Sequence, residues 1–332
     1  MSKNAPTLLL GESDLLSLLS FEAAYAASED AFRLVGEGKM TVTHNDPLFP
    51  DGDGANLFGS MAVLWQEQHL AGFKWFNMFS RQQPGFPSMN GHVIVLSSTE
   101  NGAPTAILAG TPITNYRTAA GHGVLAAKTL ARRDSSVFAL IGCGSQGELG
   151  LHAVLRQLPI RRVVLWNHRR EKAAALAERT AAQYPELEIV LAESPSAAAA
   201  AADIIMTATT SREPLLTGAD IPAGATVIGL YSFNDIAKDA ASAADLWLLG
   251  NRAADERSIL QNRKLLERNA VPDPTLVSGD LCDVLCSRHP GRTSDSQRIL
   301  YTHMGMAALD IVLALRMTET ARKAGLGQEL CF

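Results

Sequence analysis

The sequence predicts an α/β protein in which a doubly wound parallel sheet is inserted in an α+β domain. The first reason is a run of five apolar residues, 137–141, that leads into Gly142, Gly144 and Gly147 and then into an apolar helical pattern. The second is that strand-like and helix-like segments alternate after this point, which indicates parallel strands. The third is that short strand-like runs separated by turn residues precede it, which is typical of an antiparallel sheet.

The glycine turn predicts a dinucleotide site of the Rossmann type. In that motif Gly142 would allow the tight turn, Gly144 would let the backbone approach a pyrophosphate, and Gly147 would let helix and strand pack closely. The phosphates would lie at the free N–H groups of the helix start, where Ser145 and Gln146 follow. A tight turn that binds no nucleotide is the alternative, but the strand–turn–helix order favours the nucleotide.

Bulk properties exclude several classes of protein. With 332 residues the chain can form two domains, and its 47% hydrophobic and 19% charged residues describe a globular protein. The net charge of −5 does not favour binding to nucleic acid or to an anionic membrane. No apolar segment reaches the ~20 residues that span a bilayer, and Glu12 and Asp14 interrupt the early leucine run. The four cysteines lack metal-type spacing, so we expect a cytoplasmic protein without a metal.

Patterns in residues 13–132 predict both helices and strands. Residues 13–36 have helical spacing, with Ser13 as the expected N-cap and Gly36 as the stop. Strands are expected at 60–65, 70–79, 92–98 and 104–109, the last two joined by a turn at Gly102. A helix is expected over 118–132.

The second section predicts alternating elements. Strands are expected at 163–166, 188–191, 204–207, 226–229 and 246–249, and helices at 170–183 and 194–202. A last amphipathic helix is expected at 305–323, ended by Gly325 and Gly327.

The tip of the second strand of the alternating section bears on the cofactor. An acidic residue there would bind the ribose hydroxyls of NAD, whereas arginine accommodates the 2′-phosphate of NADP. This chain has Asn167 followed by Arg169 and Arg170, with no carboxylate at the tip. The sequence therefore predicts NADP(H) as the preferred cofactor, with NAD(H) possible; two arginines at a solvated helix start are the alternative.

Three charged residues are candidates for chemistry. Arg117 precedes the expected helix at 118, where a cation opposes the helix dipole unless an anion is bound. Asp310 is the acidic residue of the apolar run 304–315, where a buried carboxylate needs a partner. Lys74 lies in an otherwise apolar strand, where a lysine more often faces solvent. His303 is equally compatible with a packing role.

Several segments together resemble the ornithine cyclodeaminase/μ-crystallin family. They occur in family order from about residue 72 to 327, whereas the first seventy residues match poorly. The matching segments are 72–75 (Gly-Phe-Lys-Trp), 114–120 (Thr-x-x-Arg-Thr-Ala-Ala), 142–147, 202–210, 290–295 and 305–310.

The resemblance implies a domain organisation and a set of site residues. A substrate-binding and dimerisation domain, 1–118 plus 308–332, would enclose a Rossmann domain, 119–307, and form a homodimer. Lys74, Arg117 and Asp310 would be catalytic, and His303 would flank the substrate. Together with the glycine turn, the residues that would line the cofactor are Ser145, Gln146, Asn167, Arg169, Arg170, Thr209 and Gly229.

Two departures from the family pattern bear on the activity. Ornithine cyclodeaminases carry a catalytic aspartate after the strand at 226–229, where this chain has Tyr231; Asp235 is out of register. The substrate arginine expected near residues 40–46 is missing, with only His44 and Asn45 there, and Arg81 is the candidate substitute.

The expected activity follows from these departures. We expect an NAD(P)H-dependent reductase of a cyclic ketimine or 2-imino acid, such as Δ1-pyrroline-2-carboxylate. Lys74 and Arg117 would hold the carboxylate, and Lys74 or a water would supply the proton. The alternatives are ornithine cyclodeaminase with bound NAD+, and a non-catalytic NADPH-binding protein similar to μ-crystallin.

Overall fold

The structure is a computed structural model that describes residues 6–44, 47–50, 56–79, 91–230, 233–260 and 262–331. The chain divides into two compact units. The first unit comprises Met1–Arg117 and Met306–Phe332, and the second comprises Thr118–Gly305. The α/β fold class is confirmed, with a doubly wound parallel sheet in the second unit. The roles that the sequence assigns to the two domains stay predictions.

The first unit contains a mostly antiparallel sheet, with strands and helices numbered along the whole chain. In the described residues its order is β15-β1-β6-β5-β4-β3-β2, and only the β1–β6 pair is parallel. The strands are β1 (Thr7–Leu10), β2 (Met40–His44), β3 (Asn56–Trp65), β4 (Leu70–Phe79), β5 (His92–Ser98), β6 (Pro104–Ala109) and β15 (Gln328–Leu330).

The helix expected over 13–36 is wrong as a single element. The structure has two helices, α1 (Glu12–Leu18) and α2 (Phe21–Gly36). Ser20 breaks the run because its backbone is extended and its hydroxyl accepts the Ala23 N–H at 3.0 Å. A serine in that position caps a helix start, so Ser20 is the N-cap of α2. The predicted cap at Ser13 is wrong, because Ser13 lies inside α1, whose N-cap is Gly11.

The long C-terminal helix of the first unit lies against one face of the sheet. This helix, α12 (Ala307–Ala324), contacts β2, β3, β4 and β5. Gly72 on β4 makes the approach close, because a Cβ there would lie 2.6 Å from the Ile311 side chain. The helix ends at Gly325 in the left-handed conformation (φ 67°), as predicted.

The helix expected at 118–132 begins earlier than predicted. The helical stretch consists of α3 (Gly110–Asn115), a π-helical segment (Tyr116–Gly123) and α4 (Val124–Leu130). Pro112 is compatible with this start because the first turn of a helix has no use for its missing N–H. Arg117 therefore lies in mid-helix, and the argument that it opposes the dipole of a helix start is wrong.

The second unit is built on a parallel sheet. In the described residues its order is β13-β12-β14-β11-β10-β7-β8-β9, and every pair is parallel. The strands are β7 (Val137–Ile141), β8 (Arg162–Trp166), β9 (Glu188–Leu191), β10 (Ile204–Thr207), β11 (Thr226–Gly229), β12 (Leu246–Leu249), β13 (Val277–Asp280) and β14 (Ile299–Thr302).

The order of these strands reverses at β7, which pairs with β8 on one side and with β10 on the other. Ligands of such sheets bind beyond the carboxyl ends of the strands at this reversal. The helices of this unit are α5 (Ser145–Gln157), α6 (Arg170–Gln183), α7 (Pro195–Ala199), α8 (Asp239–Ala243), α9 (Arg252–Leu260), α10 (Arg263–Glu267) and α11 (Leu281–Leu285). Across the described ranges, no helix combines the length and apolarity that a membrane crossing requires.

Candidate active site

The glycine turn connects β7 to α5 and has the shape that a dinucleotide needs. Gly142 has φ 106°, which side chains rarely adopt, and a Cβ there would collide with the carbonyl oxygen of Ala208. A Cβ on Gly147 would collide with the Gly142 carbonyl. A Cβ on Gly144 would meet nothing within 4 Å. The turn is thus packed from behind and open at Gly144, so its residues fit a bound pyrophosphate.

The start of α5 supplies backbone donors. Gly144 is its N-cap, and no side chain caps it. Ser145 and Gln146 form the first turn, and the side-chain Oε1 of Gln146 accepts the Ala119 N–H at 3.3 Å. An uncapped N-terminus of a 13-residue helix leaves amide groups and a partial positive charge for phosphate.

Asn167 braces the glycine turn. Its Oδ1 accepts the Cys143 N–H at 3.0 Å, and its Nδ2 donates to the Arg169 carbonyl at 3.0 Å. Burial raises the pKa of the Cys143 thiol to about 12, so this cysteine stays protonated. Asn167 therefore holds the turn through its side chain.

The two arginines after Asn167 differ in their surroundings. Arg170 Nη1 lies 2.8 Å from Oε1 of Glu193, whereas Arg169 is an exposed N-cap of α6. Arg170 lines a cavity of about 210 Å³, whose lining also includes Trp166, Asn167 and Glu193. Glu193, which no pattern in the sequence indicated, reduces the positive charge of this cavity.

Thr209 and Gly229 lie at the carboxyl ends of β10 and β11. The Thr209 hydroxyl donates to Asp235 Oδ2 at 2.9 Å, and its methyl group packs beside Gly142. Burial raises the pKa of Asp235 to about 6. Gly229 is buried against Thr302 of the neighbouring strand. Tyr231, expected in the place of a catalytic aspartate, lies outside the described residues.

The first unit holds a buried cluster of three charges. Lys74 Nζ lies 2.9 Å from Asp310 Oδ1, and Arg117 Nε lies 3.3 Å from Asp310 Oδ2. The Thr114 hydroxyl donates to Asp310 Oδ1 at 3.1 Å. The side chains of Lys74 and Asp310 are 2% and 0% exposed, so the expectation that a strand lysine faces solvent is wrong here.

The cluster has an excess of positive charge, and burial together with these charges shifts its pKa values. Burial lowers the pKa of Lys74 to about 8, although the Asp310 carboxylate opposes this shift. Burial would raise the pKa of Asp310, but the charges of Arg117 and Lys74 outweigh it and lower the pKa. Burial, with the Lys74 charge adding to it, lowers the pKa of nearby His92 to about 3, so His92 is neutral. Two cations beside one carboxylate can accept a second carboxylate from a ligand.

His303 belongs to the second unit, where it is buried. Its Nδ1 lies 2.7 Å from Oδ2 of Asp255, a residue that no pattern in the sequence indicated. Arg81 and Asn45 lie outside the described residues, as does the side chain of His44. Within the ranges that the structure describes, no three His, Cys, Asp or Glu residues are grouped to hold a metal ion.

The fold and the glycine turn together define a Rossmann-type α/β protein with a buried cationic cluster in its other unit. The chain belongs to the Ornithine cyclodeaminase/mu-crystallin family, whose family model matches residues 7–325.

Two relatives are similar to this chain in sequence. Alanine dehydrogenase of Archaeoglobus fulgidus is 29% identical over 339 residues, covering 98% of each chain. The Delta(1)-pyrroline-2-carboxylate reductase of Bacillus cereus is 28% identical over 260 residues, covering 76% of this chain and 77% of the relative.

Solved structures share the fold over nearly the whole chain. Thermococcus litoralis Delta(1)-pyrroline-2-carboxylate reductase, in complex with NADH and L-proline, aligns with a TM-score of 0.85 and 24% identity. The alignment covers 97% of this chain and 99% of the reductase. An archaeal alanine dehydrogenase dimer with bound NAD aligns with a TM-score of 0.87, 24% identity and 99% and 100% coverage. At this identity the two structures support the fold alone.

Proposed function

We propose that the protein is an NAD(P)H-dependent reductase of a C=N bond next to a carboxylate, such as that of Δ1-pyrroline-2-carboxylate, giving an amino acid. The observation that carries the proposal is the buried Lys74–Asp310–Arg117 cluster. With one carboxylate between two cations, the cluster retains a positive charge for the carboxylate of a substrate. Membership of the family and the sequence likeness to a pyrroline-2-carboxylate reductase support the same chemistry.

Each side chain of the cluster has a role in this proposal. Arg117 binds the substrate carboxylate, since a guanidinium pairs with carboxylates in a fork. Lys74 adds charge that polarises the imine, and its pKa of about 8 lets it exchange a proton near neutrality. Asp310 holds both cations in place, because Thr114 and Lys74 fix its Oδ1.

The glycine turn would hold the cofactor. Gly142, Gly144 and Gly147 would cradle the pyrophosphate, and the first turn of α5, with Ser145, would donate N–H groups to it. A bound nicotinamide dinucleotide supplies the hydride for the reduction. We propose NADP(H) as the preferred form for two reasons. Arg169 and Arg170 follow the end of β8, and the residue at its tip is Asn167 and not an acidic residue. Glu193 limits that preference by pairing with Arg170, so NAD(H) remains usable.

A second activity is favoured by one comparison. The relative that matches 98% of the chain is an alanine dehydrogenase. Reductive amination of a 2-oxo acid would use the same cationic cluster for the carboxylate and would pass through a 2-imino acid. Ornithine cyclodeamination and cofactor binding without turnover are the remaining alternatives, and the same assay distinguishes them.

The open face of the sheet in the first unit supports a homodimer. Phe73 and Trp75 alternate with Lys74 along β4 and point to the face opposite α12, next to Val93 of β5. These large apolar residues are 36–43% exposed. An exposed apolar patch of this kind typically marks a protein interface. We propose that a second copy of the chain binds to it.

The experiment is a substrate panel followed by the loss of absorbance of NADPH and NADH. We expect oxidation with Δ1-pyrroline-2-carboxylate or Δ1-piperideine-2-carboxylate, and proline or pipecolate as product. Faster oxidation with pyruvate plus ammonia would assign the second activity. Ammonia and proline from ornithine, without net change of cofactor, would replace the proposal by cyclodeaminase.

A further inference from the structure

Asp235 is a buried carboxylate of the second unit to which the proposed function assigns no role. The residue is 2% exposed, and its Oδ1 has no hydrogen-bond partner among the residues that the structure describes. The charged side chain beside it is that of Arg268, whose Nη2 donates to the carbonyl of Asn234 at 3.3 Å. That guanidinium is paired with Glu213, since Nη1 lies 3.5 Å from Oε2.

The other carboxylate oxygen of Asp235 fixes the direction of Thr209. Oδ2 accepts the Thr209 hydroxyl at 2.9 Å, and that hydroxyl oxygen accepts the Ser211 N–H at 3.1 Å. An ionised carboxylate can only accept hydrogen bonds. The Thr209 hydroxyl must therefore point its proton at Asp235, and its methyl group is directed elsewhere.

The backbone around Asp235 holds the far end of the same loop. The Asp235 carbonyl accepts the Leu215 N–H at 2.8 Å, and Ala237 donates to the Leu216 carbonyl at 2.8 Å. Leu216 and Ile236 also form a parallel bridge. The loop that follows β10 is thus attached to residues 235–237 at both of its ends.

This loop packs against the back of the glycine turn. A Cβ on Gly142 would lie 2.9 Å from the Thr209 methyl carbon and would collide with the Ala208 carbonyl. The contacts therefore run from Asp235 through Thr209 to Gly142, all within the second unit. The place of the turn depends on the loop that Asp235 holds.

Folding alone does not explain a carboxylate at this place. Burial raises the pKa of Asp235 to about 6, although the hydrogen bond from Thr209 opposes the shift. The ionised form that predominates at pH 7 is thus maintained against the cost of its burial. An asparagine could accept from Thr209 without that cost. Buried ionisable groups that weaken a fold are characteristic of functional sites.

We propose that Asp235 is a positioning residue for the cofactor, an inference that rests on the proposed binding of a nicotinamide dinucleotide. Its carboxylate fixes Thr209, and Thr209 holds the glycine turn in the conformation that receives the pyrophosphate. Removing the charge should therefore strengthen the fold and weaken the binding of NADH. A purely structural role would make stability and binding fall together.

The test is Asp235→Asn in the full-length protein, with NADH binding followed by fluorescence and stability by urea unfolding. The amide can donate to Thr209 as well as accept from it, so the direction of the hydroxyl is no longer fixed. We expect NADH to bind about fivefold more weakly, whereas the urea midpoint at pH 7 rises. The gain in midpoint should shrink towards pH 5, because the wild type loses stability as the pH rises through about 6.

The matched control is Asp239→Asn. Asp239 is an exposed carboxylate four residues further on, and its Oδ2 accepts the Gly218 N–H at 3.2 Å. This variant should keep the wild-type midpoint and NADH affinity. Thr209→Val removes the donor and should weaken NADH binding about tenfold. The double variant Asp235→Asn, Thr209→Val should bind no more weakly than Thr209→Val, because one contact is lost in both.

The wild-type protein supplies a readout that needs no variant. Its affinity for NADH should be constant from pH 7 to 8 and should fall below pH 6 towards that of Asp235→Asn, in which it should not vary. NADH is used because the 2′-phosphate of NADPH would itself titrate near pH 6.

Three results would overturn the role of Asp235. They are wild-type NADH affinity in Asp235→Asn, a lower urea midpoint together with weaker binding, and a wild-type affinity that does not change between pH 5.5 and 8. No binding of NADH by the wild type would overturn the inference together with the proposed cofactor. The expected responses in a protein that reduces no imine would support Asp235 and remove the reductase.

Discussion

The ammonium group of Lys74 on β4 lies 2.9 Å from Oδ1 of Asp310 on α12, although 236 residues separate them along the chain. Two segments from opposite ends of the sequence thus meet in the first unit, and Arg117 completes the contact. Lys74 and Asp310 are almost completely buried. Their ion pair therefore forms only when α12 packs against the sheet. Gly72 makes that approach possible two residues from the lysine.

Replacing Asp310 by Asn should weaken both stability and activity. The variant leaves two buried cations without a carboxylate, and breaking a buried pair in this way costs about 3–5 kcal/mol. The loss should appear in urea unfolding at pH 7. The kcat/KM for the imine should fall at least about tenfold because Lys74 and Arg117 lose their common anchor.

The matched control is Asp30→Asn. Asp30 on α2 pairs with Arg316, which lies on the same helix as Asp310, but both partners are a third to a half exposed. An exposed pair contributes about 0–1 kcal/mol, so this variant should resemble the wild type. Equal losses in the two variants would mean that the Asp310 cluster has no special role.

The rate of imine reduction should depend on the charge of Lys74. Its pKa of about 8 means that the ammonium is present below that pH and is lost as the pH rises through it. We therefore expect kcat/KM to be constant from pH 6 to 7 and to fall tenfold per pH unit well above 8. In Lys74→Arg the charge persists to high pH, so this limb should vanish at a lower overall rate. Lys128→Arg, a change on the exposed face of α4, is the control and should keep the decrease above pH 8. Loss of that decrease in Lys128→Arg would mean that it does not report the charge of Lys74.

Glu193 should set the balance between the two cofactors. Glu193→Gln releases Arg170 from its ion pair, so NADPH should bind about two- to fivefold more tightly while NADH binding stays unchanged. Fluorescence titration measures both. Glu188→Gln is the control, because Glu188 is a similarly exposed carboxylate paired with Arg162 on the neighbouring strand. Wild-type protein that binds NADH more tightly than NADPH would contradict the NADP(H) preference.

The exposed face of β4 should form the dimer. Trp75→Lys places a charge in the middle of the apolar patch and should convert the dimer to a monomer in sedimentation velocity. Leu16→Lys changes a comparably apolar and more exposed residue on α1 and should leave the dimer intact. A monomeric wild-type protein would exclude this interface.

The sequence predicted the parts of the molecule that local patterns specify. The glycine turn between strand and helix and the alternation after residue 137 predicted the doubly wound sheet, and the structure confirms it. Asp310 could be found because a single acidic residue in an apolar run signals a buried carboxylate. The edge strand β13 and the interior strand β14 were missed, since four residues such as Val277–Asp280 carry too little periodicity.

Other features depend on contacts that no local pattern contains. Lys74 alternates with Phe73 and Trp75, so the apolar residues alone suggested that the lysine faces solvent; α12 covers the lysine face instead. The contact between Asp255 and His303 was missed because Asp255 stands in a charged stretch typical of an exposed helix. The two residues meet only through the pairing of β12 with β14. The π-helical segment has no sequence period of its own, so Arg117 was placed at a helix start.

The most direct measurement of the central claim is NADPH oxidation with Δ1-pyrroline-2-carboxylate by the wild-type protein and by the double variant Lys74→Gln, Arg117→Gln. The account predicts proline formed in equal amount to the cofactor oxidised, with turnover lost in the double variant while NADPH still binds. Turnover that survives the loss of both cations, or wild-type protein that binds NADPH yet reduces no imine on the panel, would contradict it.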